Sequence, residues 1–257
     1  AAFADAPHPE LTALMSVAGT DFGNAVHAIF EHREPMCGLP EQKVLIRRCL
    51  VENNVQHRDG DPERLADILS NRLQRVLETP LCPQGPRLGV LPASELRAEM
   101  EFNYVLGHAD LGRLREVCAA HGDADLVPVP SRRLAGLMNG KIDLVFRHDG
   151  RFHVLDYKSN RLGSSLSDYR PEALKAAMDS HHYRFQALLY AVAVDRYLAQ
   201  RIVGYERSRH LGDCYYLFVR AVGLNDTAGI WRHRFSEALM TDVQGVLAGM
   251  PAGQAMG

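Results

Sequence analysis

Residues 140–160 read GKIDLVFRHDGRFHVLDYKSN, and this stretch decides the fold. Two runs rich in apolar residues flank the dipeptide Asp149-Gly150. An Asp-Gly pair between such runs is the strongest short-range signal for a β-hairpin with a two-residue type I′ turn, because both turn positions need a positive φ. The stretch therefore predicts two antiparallel strands joined by a tight turn.

A two-residue turn fixes which residues of the two strands face each other. Asp143 then lies opposite Asp156, and Lys141 lies opposite Lys158. Directly opposed side chains have Cβ atoms about 4.5–5.5 Å apart, where like charges destabilise a sheet. The other face pairs mostly apolar side chains and is expected to face the core: Ile142 with Tyr157, Leu144 with Leu155, and Phe146 with His153.

The two opposed carboxylates predict a metal site. Mg²⁺ and Mn²⁺ take hard oxygen ligands, and a bound cation removes the repulsion between Asp143 and Asp156. Lys158 follows Asp156 by two residues and returns to the same face of the strand, which places an ammonium group beside the metal. From these residues alone, a solvated strand face without a site remains the alternative.

Helical and strand patterns flank the hairpin on both sides. Apolar residues at helical spacing predict helices over residues 21–33, 41–58, 62–79, near 110–120, 172–179, 183–200 and 236–248. Alternating or apolar runs predict strands over 94–106 and 213–222. Strands set among helices predict one α/β domain over residues 1–257, with a helical subregion at 17–80, a core at 94–250, and flexible segments at 1–16 and 251–257.

Composition excludes several classes of protein. Hydrophobic residues make up 46% of the chain and charged residues 23%, as in globular proteins. The 29 basic and 31 acidic residues leave a net charge of −2, so any nucleic-acid contact requires a local basic patch. No apolar run reaches the roughly 18–20 residues that cross a membrane, and no membrane partner is expected. The five widely spaced cysteines form no CxxC pair, which fits a reducing, cytoplasmic compartment.

Four segments together resemble the RecB-family nucleases of the PD-(D/E)xK fold. The hairpin carries the family's active-site pattern, G-x-[IV]-D followed by D-Y-K-[ST]. Three other segments of this chain resemble family elements. Residues 19–31, GTDFGNAVHAIFE, resemble the family's G-x-x-x-H helix, and residues 98–106, AEMEFNYVL, resemble its E-x-x-F-like strand. Residues 183–198, YRFQALLYAVAVDRYL, resemble its Q-x-x-x-Y helix. The resemblance implies a restriction-endonuclease-like mixed central sheet flanked by helices, with a helical N-terminal part. It also implies a Mg²⁺-dependent deoxyribonuclease of the exodeoxyribonuclease V type.

The resemblance implies a role for each matching residue. His27, Asp143 and Asp156 are implied to hold the metal, together with the backbone carbonyl of Tyr157. A lone helical histidine such as His27 carries no such signal by itself. Asp143, Asp156 and Lys158 form the implied catalytic set, with Mg²⁺ as the expected ion and Mn²⁺ as the alternative. Because two carboxylates favour the charged ammonium, we expect Lys158 to orient the attacking water and to offset charge on the phosphate rather than to remove a proton.

Further residues are implied to support the site. Gln186 and Tyr190 are four residues apart on one helix face, and we expect them to line the cleft and to hold the lysine strand or the DNA backbone. The family motif favours Glu101 as a residue that supports the metal or binds a second ion. Glu101 belongs to an alternating face that also holds Glu95 and Glu99.

The resemblance also implies partners. The substrate is DNA, with single strands preferred, and Lys141 and Arg161 are expected to belong to a basic rim for phosphates. The start AAFADAPHPE has no Met and no signal-peptide pattern, which indicates an excised or processed fragment. The intact polypeptide is expected to join the helicase part of RecB and to work with RecC and RecD in double-strand break repair and degradation of linear DNA. No GxxxxGK[ST] motif and no late cysteine cluster occur in this chain, so we expect neither an ATP site nor an iron–sulphur cluster.

Two other functions compete with this interpretation. The first is a catalytically inert nuclease-fold module that binds DNA or serves as a scaffold. Inert relatives lose the metal carboxylates or the lysine, whereas His27, Asp143, Asp156 and Lys158 are all present here. The second is a stand-alone Cas4-like exonuclease. The short start without Met and the unclustered cysteines make this alternative less favoured.

Overall fold

The computed structural model describes residues 4–55, 61–128 and 133–248, without the side chains of 104–109 and 133–138. A five-stranded sheet in the order β1-β2-β3-β4-β5 lies at its centre. Only β3 and β4 pair in parallel within the described sheet; the other neighbours are antiparallel. The strands are β1 (Leu96–Asp110), β2 (Arg133–His148), β3 (Arg151–Lys158), β4 (Leu211–Phe218) and β5 (Ile230–His233). The predicted α/β fold with a mixed central sheet is confirmed.

Helices cover both faces of this sheet. They are α1 (Pro9–Ala13), α2 (Thr20–His32), α3 (Lys43–Glu52), α4 (Pro62–Glu78), α5 (Leu111–Ala120), α6 (Pro171–Ser180), α7 (Tyr183–Arg201), α8 (Arg207–His210) and α9 (Glu237–Leu247). The parallel pair β3 and β4 is joined by a crossover that contains α6, α7 and α8, as a parallel connection requires. No helix in the described ranges is long and apolar enough to span a bilayer.

The hairpin forms in the predicted register. Asp149 has φ 48° and Gly150 has φ 75°, so both turn residues adopt the left-handed conformation of a type I′ turn. The ladder between β2 and β3 begins beside this turn and includes the predicted pairs Leu144↔Leu155 and Phe146↔His153. The predicted turn and register are confirmed over this part of the hairpin.

The two faces of the sheet enter two cores. One core lies against α2, α3 and α4 and includes Leu155 and Tyr215, whereas the other lies against α5, α6, α7 and α9 and includes Val154 and Tyr216. Successive strand residues alternate between these cores because strand side chains point to opposite faces. All eight residues of β4 are buried, as expected for a strand covered by helices on both sides.

The alternation breaks at the end of the hairpin that carries the predicted metal site. Ile142 packs in the core of α7, whereas Leu144 packs in the core of α2. Glu99 of β1 lies opposite Asp143 of β2, because the residues on either side of the two are paired. Its φ is 51°. A residue in the left-handed region turns β1, so the side chains before and after it no longer lie on the same face of the strand.

This break corrects three predicted pairs of the hairpin. The ladder between β2 and β3 ends at Leu144↔Leu155. The pairs that it therefore lacks are Asp143 with Asp156, Ile142 with Tyr157, and Lys141 with Lys158. Lys141 instead pairs in register with Glu101 of β1. The strands separate where the two predicted carboxylates lie, which opens this end of the hairpin.

The described part of the N-terminal segment, which the sequence predicts to be flexible over residues 1–16, packs against the domain. Leu11 and Leu14 are each 1% exposed, and the backbone N–H of His8 donates to the carbonyl of Ser164. Apolar side chains of this segment find places in both cores, and their burial stabilises it. Residues 1–3 and 251–257 lie outside the described residues.

Two element boundaries also differ from the prediction. The helix expected over 41–58 ends at Glu52, because Asn54 adopts a left-handed φ of 55° after the last turn; residues 56–58 lie outside the described residues. The strand β5 was not predicted, since it has four residues and no alternating pattern. The remaining predicted helices and strands occur with shifted ends.

Candidate metal and active site

Helix α2 brings His27 to the open end of the hairpin. Phe22, Val26 and Ile29 recur at helical spacing, are buried, and fix the helix against the sheet. His27 follows Val26 and is partly exposed. Its Nδ1 atom lies 3.2 Å from Oδ1 of Asp143. The helix therefore joins an imidazole to the carboxylate of β2.

The two predicted carboxylates lie where β2 and β3 separate. Asp143 Oδ2 accepts a hydrogen bond of 2.8 Å from the backbone N–H of Tyr157, so a side chain replaces the next ladder bond. Asp156 precedes Tyr157 and is 2% exposed. Its Oδ2 lies 2.6 Å from Lys158 Nζ, but within the described residues it accepts no hydrogen bond of acceptable angle. Burying a carboxylate oxygen in this way is costly unless another group neutralises it.

The pKa of Asp156 and the pKa of His27 are both raised, but for different reasons. Burial and the negative charge of Asp143 raise the pKa of Asp156 and outweigh the ammonium of Lys158, which lowers it. Burial lowers the pKa of His27, but the hydrogen bond and charge of Asp143, with the charge of Asp156, outweigh burial and leave it raised. Both groups therefore hold protons more tightly than usual when no cation is bound.

Lys158 is held by side chains of α7 and β4. Its Nζ donates to Gln186 Oε1 at 3.2 Å and lies 3.9 Å from the centroid of the Tyr183 ring. Gln186 Oε1 also accepts from the Tyr216 hydroxyl at 3.1 Å, and Gln186 Nε2 donates to the Tyr190 hydroxyl at 2.9 Å. Gln186 thus contacts the lysine directly, and Tyr190 acts on the lysine through Gln186.

Glu99 joins the site, although the sequence motif favours Glu101. One ligand atom each from His27, Glu99 and Asp143 lie within 4.8 Å of one another. The left-handed φ of Glu99 is uncommon for a residue with a side chain, and such strain clusters at functional sites. Glu101 is exposed, and Lys141 makes its ion pair with Glu99 at 2.6 Å.

Tyr157 and Arg161 occupy different surroundings. The Tyr157 ring stacks on Phe30 with centroids 3.9 Å apart and belongs to the core, while its backbone N–H binds Asp143. Arg161 is exposed, donates to the carbonyl of Met15 at 2.9 Å, and lines a groove next to His27. The structure thus keeps Arg161 near the site but at its rim.

Sequence reasoning missed Tyr183 and Tyr216. Tyr183 precedes Gln186 by three residues on α7, a spacing that places both on one helix face and could have indicated it. Tyr216 pairs with Asp156 in the parallel register of β3 and β4, which no local pattern reveals.

The side chains of this site fit a small divalent cation. One imidazole and several carboxylate oxygens form a hard donor set of the kind that Mg²⁺ and Mn²⁺ accept. The buried Asp156 Oδ2 accepts no hydrogen bond and contacts the Lys158 ammonium, so it is a negatively charged oxygen that a cation can also bind. The raised pKa values of Asp156 and His27 indicate the same need for positive charge.

Comparison with known families gives one match that covers almost the whole chain. The profile of the PD-(D/E)XK nuclease superfamily matches residues 8–255. This range includes His27, Asp143, Asp156 and Lys158.

Three curated relatives are similar to this chain over most of its length, and each is named RecBCD enzyme subunit RecB. The protein of Haemophilus influenzae is 36% identical over 186 residues, which cover 72% of this chain and 15% of the relative. The protein of Escherichia coli strain K12 is 32% identical over 246 residues, covering 94% and 20%. The protein of Mycobacterium tuberculosis strain H37Rv is 36% identical over 230 residues, covering 80% and 21%. The chain therefore spans about a fifth of the length of these relatives or less.

Proposed function

Because this chain belongs to the PD-(D/E)XK nuclease superfamily, we propose that it hydrolyses DNA phosphodiester bonds with a divalent metal, as the nuclease domain of a RecB-type subunit. The observation that carries this proposal is the convergence of His27, Asp143 and Asp156 beside Lys158. These side chains come from three elements, His27 from α2, Asp143 from β2, and Asp156 and Lys158 from β3, and they converge at one end of the hairpin.

We assign the metal to His27, Asp143 and Asp156, with Glu99 as the neighbouring carboxylate and the Tyr157 carbonyl as a further ligand. Mg²⁺ is the proposed ion and Mn²⁺ a substitute. When bound, such an ion lowers the pKa of its water and polarises the phosphate. Tyr157 contributes through its backbone N–H, which holds the Asp143 carboxylate in place.

Lys158 is the proposed partner of the reacting phosphate. Its ammonium is fixed by Gln186 and by the Tyr183 ring, so it does not need to be ordered when substrate arrives. The Asp156 carboxylate lies 2.6 Å from this ammonium group and helps to fix its position. Lys158 therefore orients the attacking water and offsets negative charge on the phosphate, in the manner of a preorganised electrostatic group.

The wider context of the activity is also a proposal. Since the relatives carry the name RecBCD enzyme subunit RecB, we infer that the full polypeptide has a helicase part and assembles with RecC and RecD in the cytoplasm. We further infer an exodeoxyribonuclease type of activity in double-strand break repair, with single-stranded DNA as the preferred substrate of this domain.

The test is cleavage of a 5′-labelled single-stranded oligonucleotide in Mg²⁺, Mn²⁺ or EDTA. The parent is compared with Asp156→Ala and with Asp242→Ala, which removes an exposed carboxylate from α9. We expect metal-dependent cutting by the parent and by Asp242→Ala, and none by Asp156→Ala. Failure of the parent to cut in either metal would indicate an inert binding module. Equal cutting by all three proteins would refute the assigned site.

A further inference from the structure

A groove adjoins the metal site on the side of α2. It has a volume of about 530 Å³, and His27 and Tyr183 stand at its boundary with the site. Its walls are the start of α2, including Asn24, and the segment after β3, including Asn160 and Arg161. A cavity of this size is on the scale of pockets that hold one small organic ligand, roughly 300–1,000 Å³.

The two walls of this groove are fixed to each other from below. Gly23 of α2 allows the close approach, since a Cβ there would lie 3.1 Å from Ser159 Oγ. Arg220 is 1% exposed and donates to the carbonyls of Leu14 and Val17, which lead into α2, and to the carbonyl of Ser159. The close contact at Gly23 and the buried hydrogen bonds of Arg220 therefore hold the two walls of the groove together.

The residues that line the groove include Arg161 but no Asp or Glu. Among the described residues, no carboxylate lies within ion-pair distance of Arg161 or of Arg220, whose donors bind backbone carbonyls instead. Burial lowers the pKa of Arg220 to about 10, which still leaves it charged at neutral pH. A guanidinium group on a wall that carries no carboxylate attracts a polyanion, and the exposed Arg161 has further N–H donors beyond the one that binds Met15 with which to meet a phosphate.

A second opening reaches Asp143 from the other side and differs in character. It measures about 220 Å³, is lined mainly by apolar side chains, and has Glu31 at its edge. Arg33 lies in this opening but is buried and donates to the carbonyl of Leu88. This opening offers less room and less exposed positive charge than the groove beside α2.

We propose that the groove between α2 and residues 159–161 binds the backbone of single-stranded DNA next to the bond that is cut, with Arg161 contacting a phosphate. Asn24 and Asn160 face the adjoining nucleotide. Tyr183 marks the border between this groove and Lys158, because its hydroxyl donates to Asn160 Oδ1 while its ring meets the lysine. This inference rests on the proposed nuclease function and names the part of the substrate that this surface recognises.

The first test measures binding of a fluorescent oligothymidine in EDTA, where no cleavage occurs. Arg161→Gln is compared with Arg209→Gln as a control. Arg209 is an exposed arginine just before the start of β4, whereas Lys158 pairs with the last residue of β4, so Arg209 lies far from the site along that strand. We expect Arg161→Gln to weaken binding about two- to fivefold. It should also reduce the slope of log affinity against log salt by about 0.7, the value for one phosphate of a single strand. Arg209→Gln should change neither quantity.

The second test identifies the contacted phosphate. A series of oligonucleotides carries one neutral methylphosphonate linkage at successive positions. At one position, the neutral linkage should weaken binding of the parent but not of Arg161→Gln, because the two changes remove the same contact. Asn24→Trp, at an exposed position of α2, should obstruct the groove and weaken binding while the unfolding temperature stays unchanged.

Two outcomes would overturn the inference. One is equal binding and equal salt dependence of Arg161→Gln and Arg209→Gln. The other is a methylphosphonate series in which every position weakens parent and Arg161→Gln alike. Failure of the proposed function has a different signature, since the parent would then fail to cut in any metal while the binding measurements in EDTA are unaffected.

Discussion

At the scale of single residues, the buried Asp156 carboxyl and the His27 imidazole link metal binding to pH. Both have raised pKa values in the metal-free protein, Asp156 through burial and the charge of Asp143, and His27 through its contact with Asp143. A metal ligand must be deprotonated, so a cation that binds here displaces protons. We expect metal affinity to increase as the pH rises from about 6 to about 8, because fewer protons then compete.

Calorimetric titration with Mn²⁺ in buffers of different ionisation enthalpy checks this prediction. Protons released on binding appear as a buffer-dependent heat, and their number should decrease towards high pH. Asp156→Asn should release fewer protons than the parent at neutral pH. Heats that do not depend on the buffer would contradict the prediction.

The same shifts set the pH dependence of the metal-free fold. The pKa of Asp156 lies above its ordinary value of 3.8 and that of His27 above 6.5, so the folded state binds these protons more tightly than the unfolded state. Their stabilising contribution is fully present below the unfolded values and is lost as the pH rises through the folded ones. In EDTA, the thermal unfolding midpoint should therefore fall between about pH 6 and pH 8, and Mn²⁺ should raise it more at the higher pH. A midpoint in EDTA that rises over this interval would show that other groups dominate.

The structure and the sequence motif favour different glutamates of β1, Glu99 and Glu101, as the one that supports the metal. Glu99 lies within the ligand cluster of His27 and Asp143, whereas Glu101 is exposed. Glu99→Gln should weaken Mn²⁺ binding by about tenfold, as loss of a group beside a metal does. Glu101→Gln is the matched control and should change it little. A larger effect of Glu101→Gln would favour the assignment drawn from the sequence motif.

These residues also show what local sequence can and cannot identify. Asp143, Asp156 and Lys158 can be placed near one another from the sequence because a two-residue turn and strand alternation determine their positions. Glu99 cannot, because its place depends on a left-handed φ that breaks the alternation, and nothing in AEMEF indicates that conformation.

At the scale of elements, α7 positions the lysine through one side chain. Gln186 accepts hydrogen bonds from Lys158 and Tyr216 and donates one to Tyr190. Gln186→Leu removes all three bonds, and we expect kcat to fall about 10–100-fold. Tyr190→Phe removes only the acceptor of the Gln186 amide and should cost less than about fivefold. Neither change touches the metal ligands, so the metal concentration at half-maximal rate should stay the same.

Steady-state cleavage with a metal titration separates these effects. A Gln186→Leu protein with normal kcat and a weakened metal response would contradict the role given to this helix. Gln186→Glu provides a further comparison, because it keeps the acceptor for Lys158 but adds a charge.

Elements differ in how far their sequence determines them. The apolar run in β4 could be recognised because helices cover both of its faces, so all eight residues are buried. The four residues of β5 are too few for a periodic signal and form a strand only because β4 offers an edge. The parallel register that brings Tyr216 beside Asp156 is set by tertiary packing across a long crossover.

At the scale of the whole molecule, one buried arginine joins distant parts of the chain. Arg220 Nη1 binds the carbonyl of Leu14, 206 residues away in sequence, and Nη2 binds that of Val17. Its Nε binds the carbonyl of Ser159, directly after Lys158. The α/β class could be predicted from the order of helices and strands, but contacts at this separation leave no local pattern. Local sequence therefore does not indicate where the N-terminal segment packs.

Removal of residues 1–17 tests how much the domain depends on this segment. The deletion takes away three buried side chains, Leu11, Leu14 and Val17, each worth about 1.5–3 kcal/mol of apolar burial. It also removes Glu10, the ion-pair partner of buried Arg72, and two of the three carbonyls that satisfy Arg220. Unpaired buried donors add about 1–3 kcal/mol each. Because a domain is stable by only about 5–15 kcal/mol, the shortened chain should lose its cooperative urea transition. Removal of residues 1–3 alone leaves these contacts in place and should keep the transition. A shortened chain with the parent's urea midpoint would show that the segment rests on a domain that is stable without it.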